Sequence, residues 1–345
     1  MPEAIVRAAF LTQADACDGL GSPFTARLCR LLSEKLETTQ GAIAHTLLTW
    51  PGPPGPSDDS VPLRIAGALH ALVLSERISP LTELPDNALW PAVQEAFQQH
   101  EAFILERLTS PPQTNEVRRS AALLPGLFIV AERIGKPLIL SEVGASVGLN
   151  LQLDRYRYRL GETEWGPESA VVLSPEWRGT VPSAPSSFTV LDRAGCDLNP
   201  LNPSSPDDRL RQLSYIWADQ KDRLERTQNA LSIAAENRLQ VEKADAIDWL
   251  AKRLETPKTG AAHIVFHSVA WQYFPDALKQ KGEALIAEAG ARATTDAPLA
   301  RLQMEGDGQQ RGAALTLQIW PTGEKQEIGR ADFHGRWVEW RGWVK

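Results

Sequence analysis

A turn containing two glycines follows a short apolar run near the middle of the chain. The run Leu138–Val143 carries Glu142 near its end, and the turn Gly144-Ala-Ser-Val-Gly-Leu-Asn150 follows directly. Gly144 allows a tight change of direction, and Gly148 lets a ligand or a strand approach the backbone closely. If a helix follows, its first N–H groups can bind an anionic group at the end of a parallel sheet, where ligands bind. The candidate cofactor-binding residues are Glu142, Gly144, Ser146, Gly148 and Asn150.

Two cofactor classes bind at turns of this kind. The dinucleotide pattern GxGxxG is not matched, because Ser146 stands at the second glycine and the last glycine has the wrong offset. In S-adenosylmethionine enzymes the turn carries an acidic residue, one spacer and alternating glycines. Glu142, Gly144 and Gly148 resemble that pattern. The turn therefore favours S-adenosylmethionine over a nicotinamide dinucleotide.

The same turn also reads GxSxG, the nucleophile elbow of α/β-hydrolases. Ser146 would then be the nucleophile, with His267 or His334 as its base. In that fold several strands precede the elbow, whereas the chain before Leu138 is helical in pattern. We therefore favour S-adenosylmethionine binding over hydrolysis. A third interpretation stays open, in which the glycines serve only close packing in a non-catalytic binding protein.

An acidic residue also follows the second predicted strand. Asp197 would hold the ribose hydroxyls of the cofactor, but it lies much further from Gly144 than the usual spacing of about twenty residues. An insertion over residues 156–187 would explain the distance. Asp154 and Asp192 are alternatives for the same role, and the alternative for Asp197 is a turn residue beside Gly195 and Pro200 with no ligand.

Asp245 and Ala246 follow the third predicted strand. In S-adenosylmethionine enzymes an acid followed by alanine contacts the adenine at this point, where a carboxylate can accept the exocyclic amine. The alternative is an N-cap, in which Asp245 accepts hydrogen bonds from the first amides of a helix that begins near Ala246.

The fourth predicted strand ends at His267, which can act as a general base near neutral pH. Trp271 and Tyr273 can stack on a flat acceptor or on adenine. The alternative places His267 in hydrogen bonds that cap a buried strand and the aromatic rings in the core. Three further residues complete the candidate substrate-binding set: Ser268, Glu305 and His334.

Two regions with different periodicity must position these residues. Apolar residues recur at helical spacing throughout 1–135, which predicts an all-helical region, and Gly135 and Pro137 end its last helix. From 136 to 345, short apolar runs alternate with helical patterns, as in a mostly parallel sheet covered on both faces. We therefore predict an α/β fold, a Rossmann-like, methyltransferase-type sheet of seven strands with an N-terminal helical region that covers the site or selects the substrate.

The predicted strands after the first are Phe188–Leu191, Leu239–Val241, His263–Phe266, Leu299–Met304, Leu315–Trp320 and Arg336–Trp340. The predicted helices between them are Asp207–Ala235, Ala246–Leu254 and Pro275–Ala289. Because the last strands have no long helices between them, we expect an antiparallel hairpin to close the sheet.

Composition restricts the class of protein. The 345 residues carry 36 Lys and Arg against 43 Asp and Glu, a net charge of −7, which argues against a protein that coats nucleic acid. Three cysteines without CxxC spacing argue against a disulfide framework or a zinc site, so we expect no metal. The longest uncharged apolar stretch, 120–131, is too short to span a bilayer, and no signal peptide is evident. We expect a cytoplasmic protein that binds a small-molecule cofactor.

These segments together resemble a bacterial family, domain of unknown function 2332. The resemblance rests on Glu142–Asn150, Gly195–Pro200, Tyr215–Gln220, Phe266–Tyr273 and His334–Gly335. It implies a methyltransferase-like Rossmann domain and names no substrate. We therefore expect an S-adenosylmethionine-dependent methyltransferase whose acceptor the sequence does not identify.

Overall fold

The computed structural model describes residues 2–56, 58–180, 182–185, 187–309 and 311–344. The chain forms two compact units. The first comprises Met1–Thr114 and Pro206–Gln228, and the second comprises Asn115–Ser205 and Asn229–Lys345.

The helices, in chain order, are α1 Pro2–Gly19, α2 Pro23–Lys35, α3 Ala42–Leu48, α4 Val61–Leu74, α5 Asp86–Gln99, α6 Glu101–Leu108, α7 Arg119–Ile134, α8 Pro206–Ser214, α9 Lys221–Glu236, α10 Ala246–Arg253 and α11 Asp276–Ala291. Two 3-10 helices are Asn150–Arg155 and Trp271–Tyr273. The strands are β1 Leu138–Val143, β2 Arg157–Leu160, β3 Thr163–Trp165, β4 Val172–Leu173, β5 Glu176–Gly179, β6 Val190–Asp197, β7 Glu242–Lys243, β8 Ala262–Ser268, β9 Leu299–Glu305, β10 Ala313–Trp320, β11 Glu324–Ala331 and β12 Trp337–Trp340.

The first unit contains α1 to α6, α8 and the beginning of α9, and its helices pack around a core of aliphatic and aromatic side chains. The predicted N-terminal helical region is confirmed. α7 ends as predicted, since Gly135 is left-handed with φ +66° and its N–H donates to the Ala131 carbonyl at 2.9 Å. α7 itself belongs to the second unit, where it packs on β8, β9 and β10.

The single helix predicted over Asp207–Ala235 is wrong, because the chain leaves the helical path between α8 and α9. In this break the Asp219 carboxylate accepts the N–H of Phe24 at 2.9 Å and the hydroxyl of Ser22, so it satisfies the start of α2. Tyr215 in the same break is buried. Tertiary contacts of these residues outweigh their local helical pattern.

The second unit contains a nine-stranded sheet in the order β5-β12-β11-β10-β9-β8-β1-β6-β7. The strands β7, β6, β1, β8 and β9 are parallel neighbours, which is the 3-2-1-4-5 order of a doubly wound nucleotide-binding sheet. The predicted α/β class with a mostly parallel sheet is confirmed. The sheet has nine strands where seven were expected.

The far side of the sheet is an antiparallel meander of β9, β10, β11 and β12, so the predicted closing hairpin is present and is extended by one strand. β11 was not predicted. The first half of this strand is mostly exposed and reads Glu-Lys-Gln-Glu, which contains no apolar run.

The connection from β1 to β6 contains no α-helix among its described residues. The predicted insertion over 156–187 contains the small sheet β3-β2-β4 and the strand β5, which joins the edge of the main sheet; residues 181 and 186 lie outside the described ranges. Trp165 of the small sheet contacts Phe128 of α7, with ring centroids 5.1 Å apart. This excursion accounts for the long spacing before Asp197.

Helices cover both faces of the sheet. α10 and α11 pack together on one face over a core that includes Val143, Val265 and Leu299. α7 and the 3-10 helix Asn150–Arg155 pack together elsewhere on the sheet. No helix of the described residues is long and apolar enough to cross a membrane.

Candidate functional site

β1 and β8 are neighbours at the point where the strand order reverses: β6 and β7 lie beyond β1 on one side, and β9 lies beyond β8 on the other. Ligands of open α/β sheets bind beyond the carboxyl ends of such a pair of strands. The segments that follow these strands touch each other. A Cβ atom added to Gly144 would lie 2.6 Å from the Cβ of Ala270. The structure therefore brings the predicted residues around 142–150 and 267–273 together at one edge.

The turn after β1 has a left-handed backbone at three positions. The φ angle is +69° at Gly144, +54° at Ser146 and +77° at Gly148. A Cβ at Gly148 would also lie 2.4 Å from Cδ2 of Leu239, so packing and backbone both require glycine there. Ser146 adopts this conformation with a side chain, at a cost of about 1–2 kcal/mol. Strain of this kind concentrates at functional sites.

Most backbone amides of the turn already have acceptors within the protein. The pairs are Gly144 N and Ala145 N to the Cys196 carbonyl (both 3.0 Å), Ser146 N to Asp197 Oδ2 (2.9 Å), Gly148 N to the Ala145 carbonyl (2.7 Å) and Leu149 N to Asn115 Oδ1 (2.7 Å). The helix that follows is a six-residue 3-10 helix. A 3-10 helix and not an α-helix follows the turn, and most amides of the turn already have acceptors, so the expectation of free N–H groups at a helix N-terminus is wrong.

Three polar side chains at the turn keep a buried atom without a hydrogen-bond partner among the described residues. The atoms are Glu142 Oε2, Ser146 Oγ and Asn150 Nδ2. Asn150 Oδ1 accepts the Ser120 hydroxyl at 2.8 Å, which leaves the amide nitrogen as the available donor. An unsatisfied buried polar atom costs about 1–3 kcal/mol. The three side chains of this turn therefore keep polar atoms that a ligand could satisfy, and the Asn150 amide lies close enough to Glu142 to lower its pKa.

Glu142 is a deeply buried acidic side chain at this edge. It is 1% exposed, and burial raises the pKa of its carboxyl well above the usual range. The Arg119 guanidinium and the Asn150 amide act in the opposite direction, and the Asp197 carboxylate adds to the rise. Burial therefore favours the neutral form of this carboxyl, and an approaching cation would favour its ionisation.

Arg119 is a site residue that the sequence analysis missed. It is buried at the start of α7, where its Nε donates to the Phe333 carbonyl at 2.9 Å and its Nη1 to the Ser268 carbonyl at 3.0 Å. It ties the end of β8 to the loop before β12 and places a positive charge near Glu142. Its only sequence signal is an arginine pair before an apolar helix, which is equally typical of a solvated helix end.

Of the three acids considered for ribose binding, Asp197 lies at the carboxyl end of β6. Besides the Ser146 amide, it accepts the N–H of Asn199 at 2.9 Å. Asp154 forms a two-bond ion pair with an arginine of β6, and Asp192 lies inside β6 and pairs with an arginine of α10. Asp197 is thus the acid that the fold places beside the turn.

Asp245 is the N-cap of α10, and Ala246 is the first residue of that helix. Asp245 Oδ1 accepts the N–H groups of Ile247 at 2.8 Å and of Asp248 at 3.2 Å. The N-cap interpretation is confirmed, and a contact with adenine stays a prediction.

Two substitutions of Asp245 separate the effect of its cap hydrogen bonds on stability from the effect of its charge. We expect Asp245→Ala to lower the free energy of unfolding by about 1 kcal/mol, because two helix amides lose their acceptor. Asp245→Asn should change it by less than about 0.5 kcal/mol, since asparagine caps equally well. Urea unfolding followed by circular dichroism measures both. Equal losses in the two variants would show that the charge, and not the cap, stabilises the helix.

His267 is fully buried, and both of its ring nitrogens have partners. Nδ1 lies 2.7 Å from Glu305 Oε1, and Nε2 lies 3.2 Å from Nη2 of Arg301. Because a guanidinium only donates, Nε2 carries the lone pair and Nδ1 the proton. Burial lowers the pKa of His267, which favours this neutral form. The predicted general base would have to release Arg301 before it could accept a proton from a substrate.

Glu305 fixes the loop after β8. Besides His267, it accepts the N–H groups of Ala270 (3.1 Å), Trp271 (3.1 Å) and Gln272 (3.2 Å). Burial opposes ionisation of Glu305, but these hydrogen bonds outweigh it and lower its pKa. A charged carboxylate therefore holds the loop that faces the β1 turn.

The other predicted substrate-binding residues differ in accessibility. Ser268 is buried, and Trp271 stacks on His267 with ring centroids 4.9 Å apart. Tyr273 is 65% exposed and is the aromatic ring of this loop that solvent reaches. His334 lies in the turn before β12, where its N–H donates to Asp332 Oδ1 at 3.0 Å.

The hydrolase interpretation requires a basic side chain beside the Ser146 hydroxyl. Nucleophile and base lie within hydrogen-bond distance in such enzymes. The left-handed backbone of Ser146 fits a nucleophile elbow, but its hydroxyl has no hydrogen-bond partner within the described ranges. Those ranges also contain no cluster of three or more His, Cys, Asp or Glu side chains that could hold a metal ion.

Comparison with known proteins gives one match. The model of a family described as an uncharacterized protein conserved in bacteria, DUF2332, matches residues 7–340. No curated protein and no solved structure matches the chain.

Proposed function

We propose that this chain, which belongs to the bacterial protein family DUF2332, binds S-adenosylmethionine beyond β1 and transfers its methyl group to an acceptor held beyond β8. The observation that carries the proposal is Glu142, a buried carboxyl with an unpartnered oxygen beside a strained turn at the ligand-binding edge of the sheet.

The chemistry of the turn supports this cofactor over one bound through phosphates. A phosphate site needs free amides, and most amides of the turn are already bonded within the protein. The turn instead offers a carboxyl for the cofactor's ammonium group, and it offers Asn150 Nδ2 for the carboxylate. Ser146 Oγ can serve either group, because a hydroxyl both donates and accepts.

Asp197 and Asp245 also fit this cofactor without losing their structural bonds. Each carboxylate oxygen can accept two hydrogen bonds, and Asp197 accepts one bond at each oxygen from a backbone amide. Asp245 uses only Oδ1 for its cap. The remaining lone pairs can accept ribose hydroxyls and the adenine amine.

When bound, S-adenosylmethionine supplies a methyl group on a positively charged sulfur, and transfer then depends on the orientation of the acceptor. In this proposal Glu142 holds the ammonium group. Glu305 holds the backbone of 270–272, and the exposed ring of Tyr273 offers a stacking surface for a flat acceptor. His267 acts as a positioning residue through Glu305.

Titration calorimetry tests the proposal. We expect S-adenosylmethionine and S-adenosylhomocysteine to bind, and 5′-methylthioadenosine, which lacks the ammonium group, to bind about 10- to 100-fold more weakly. Binding of the ammonium should ionise Glu142 and release a proton, so affinity should rise with pH over the range in which the unbound carboxyl is protonated, which burial extends above the ordinary pKa of 4.5. Phosphate and Tris buffers, which differ in ionisation enthalpy, report the released proton as a difference in measured heat.

Two results would overturn the proposal. One is the absence of heat and of a thermal shift at millimolar cofactor. The other is equal affinity for 5′-methylthioadenosine and the two amino-acid-bearing ligands, since Glu142 would then have no part in recognition.

A further inference from the structure

A cavity of about 320 Å³ lies within the first unit, and the proposed methyl transfer does not use it. Its walls come from α2, α4, the end of α8, the beginning of α9, the loop 80–83 and residues 215–218 of the break between α8 and α9. The break is Tyr215–Gln220, one of the segments on which the family resemblance rests. The volume is in the range of small-molecule sites, which is about 300–1,000 Å³.

The side chains that line the cavity are mainly apolar, and three of these side chains carry aromatic rings. Phe24, Tyr215 and Trp217 contribute rings, and Leu28 and Leu69 are among the aliphatic side chains that complete the lining. Aromatic rings prefer other rings in offset or edge-to-face contact, worth about 0.5–1.5 kcal/mol beyond burial. The lining therefore favours a flat aromatic occupant over a flexible chain.

His70 gives the cavity a polar group. Its ring lines the cavity and is 7% exposed, and its Nδ1 lies 3.2 Å from the Ser214 carbonyl. A carbonyl only accepts, so Nδ1 carries the proton and Nε2 the lone pair. Burial lowers the pKa of His70, although the backbone groups of Ser214 and Ile216 act in the opposite direction, and the lowered pKa favours the neutral ring. A ligand with an N–H or O–H group would find an acceptor here.

The charged groups of the lining do not select an ion. Glu83 and Lys221 are both exposed and carry opposite charges, so they give no net attraction for an anion or a cation. Together with the neutral histidine, this favours an uncharged occupant.

We propose that this cavity binds an uncharged aromatic molecule with one N–H or O–H donor, its ring among Phe24, Tyr215 and Trp217 and its donor on His70 Nε2. None of the lining residues belongs to the proposed cofactor site, so the two proposals stand or fall separately.

Indole and benzofuran are a matched pair of probes, because they share size and shape and only indole has an N–H donor. We expect indole to bind the full-length protein in calorimetry and benzofuran to bind about two- to tenfold more weakly. No binding of indole at millimolar concentration would overturn the proposal. Equal affinity of the two probes would overturn the role of His70.

A cavity-filling variant locates the site. Ala66→Phe places a ring in the cavity, and we expect it to weaken indole binding at least tenfold. Ala8→Phe, at an exposed position of α1, is the control and should bind indole as the native chain does. Unchanged binding by a folded Ala66→Phe variant would contradict the assignment.

A measurement on the native chain covers the case in which Ala66→Phe fails to fold. Nuclear Overhauser contacts should connect indole with the methyl groups of Leu28, Leu63 and Val73, which line the cavity. Contacts with methyl groups elsewhere, and none with these three, would place the ligand at another site and overturn the proposal.

Discussion

Glu142→Gln should weaken S-adenosylmethionine binding about 10- to 100-fold and at the same time stabilise the folded protein. The loss of affinity follows because an amide cannot form a charge-assisted bond with the ammonium group, and such bonds contribute about 1.5–3 kcal/mol. The gain in stability follows because the substitution removes a buried ionisable group. A gain of about 0.5–2 kcal/mol is typical when a functional group that costs stability is replaced.

The effect of Glu142→Gln on the free energy of unfolding should depend on pH. In the unfolded chain Glu142 ionises above its ordinary pKa of 4.5, whereas in the folded chain burial keeps it protonated to higher pH. The folded state therefore binds more protons over this range, and the free energy of unfolding that Glu142 contributes falls as pH rises. The stability advantage of Glu142→Gln should be near zero at about pH 4 and grow towards pH 7.

Urea unfolding at several pH values and calorimetry with the cofactor measure the two effects. Glu255→Gln, at an exposed position in the same unit, is the matched control and should change neither quantity. Retention of full affinity by Glu142→Gln would remove the basis of the proposed function. A loss of stability at pH 7 would show that the native carboxyl is ionised and well solvated.

Glu305→Ala should destabilise the second unit by about 3–5 kcal/mol, the usual cost of removing one partner from a buried charged network. The variant leaves the N–H groups of 270–272 and Nδ1 of His267 without their acceptor. Because the loop after β8 contacts the β1 turn at Gly144, cofactor affinity should fall together with stability.

Denaturant unfolding measures the loss of stability in Glu305→Ala, and two further variants serve as controls. Glu305→Gln keeps one acceptor oxygen and should cost less than Glu305→Ala. Glu324→Ala removes a partly exposed carboxylate that pairs with Arg133, and it should cost less than about 1 kcal/mol. If Glu305→Ala cost no more than Glu324→Ala, the loop would be held by its other contacts and not by the carboxylate.

Local pattern was sufficient for the features that are built from neighbouring residues. The run Leu138–Val143 is mainly apolar and is buried throughout as β1, because a central parallel strand is covered on both faces. Gly135 ends α7 and Asp245 caps α10, since both depend on the conformation of adjacent residues.

The local sequence pattern could not predict features that depend on residues distant in the chain. Asp219 lies in the break of the predicted helix, where its carboxylate accepts the N–H of Phe24 at the start of α2. These two residues are 195 positions apart in the sequence. Arg119 and Glu305 acquire their roles from carbonyls and amides that only the folded sheet brings close. Sequence spacing carries no information about such contacts, so the acidic residue of the turn was predictable and its buried surroundings were not.

The absence of a crossover α-helix after β1 in the described chain has a consequence for how the ligand edge is made. The turn takes its shape from Asn115, 34 positions before the amide it binds, and from Asp197, 51 positions after. Within the segment 144–150 the Gly148 N–H donates to the Ala145 carbonyl, but the other acceptors that fix the turn come from outside it, so we do not expect an isolated peptide to keep this shape. The shape of this turn is therefore a property of the folded unit, because it requires acceptors from the segment before α7 and from the end of β6.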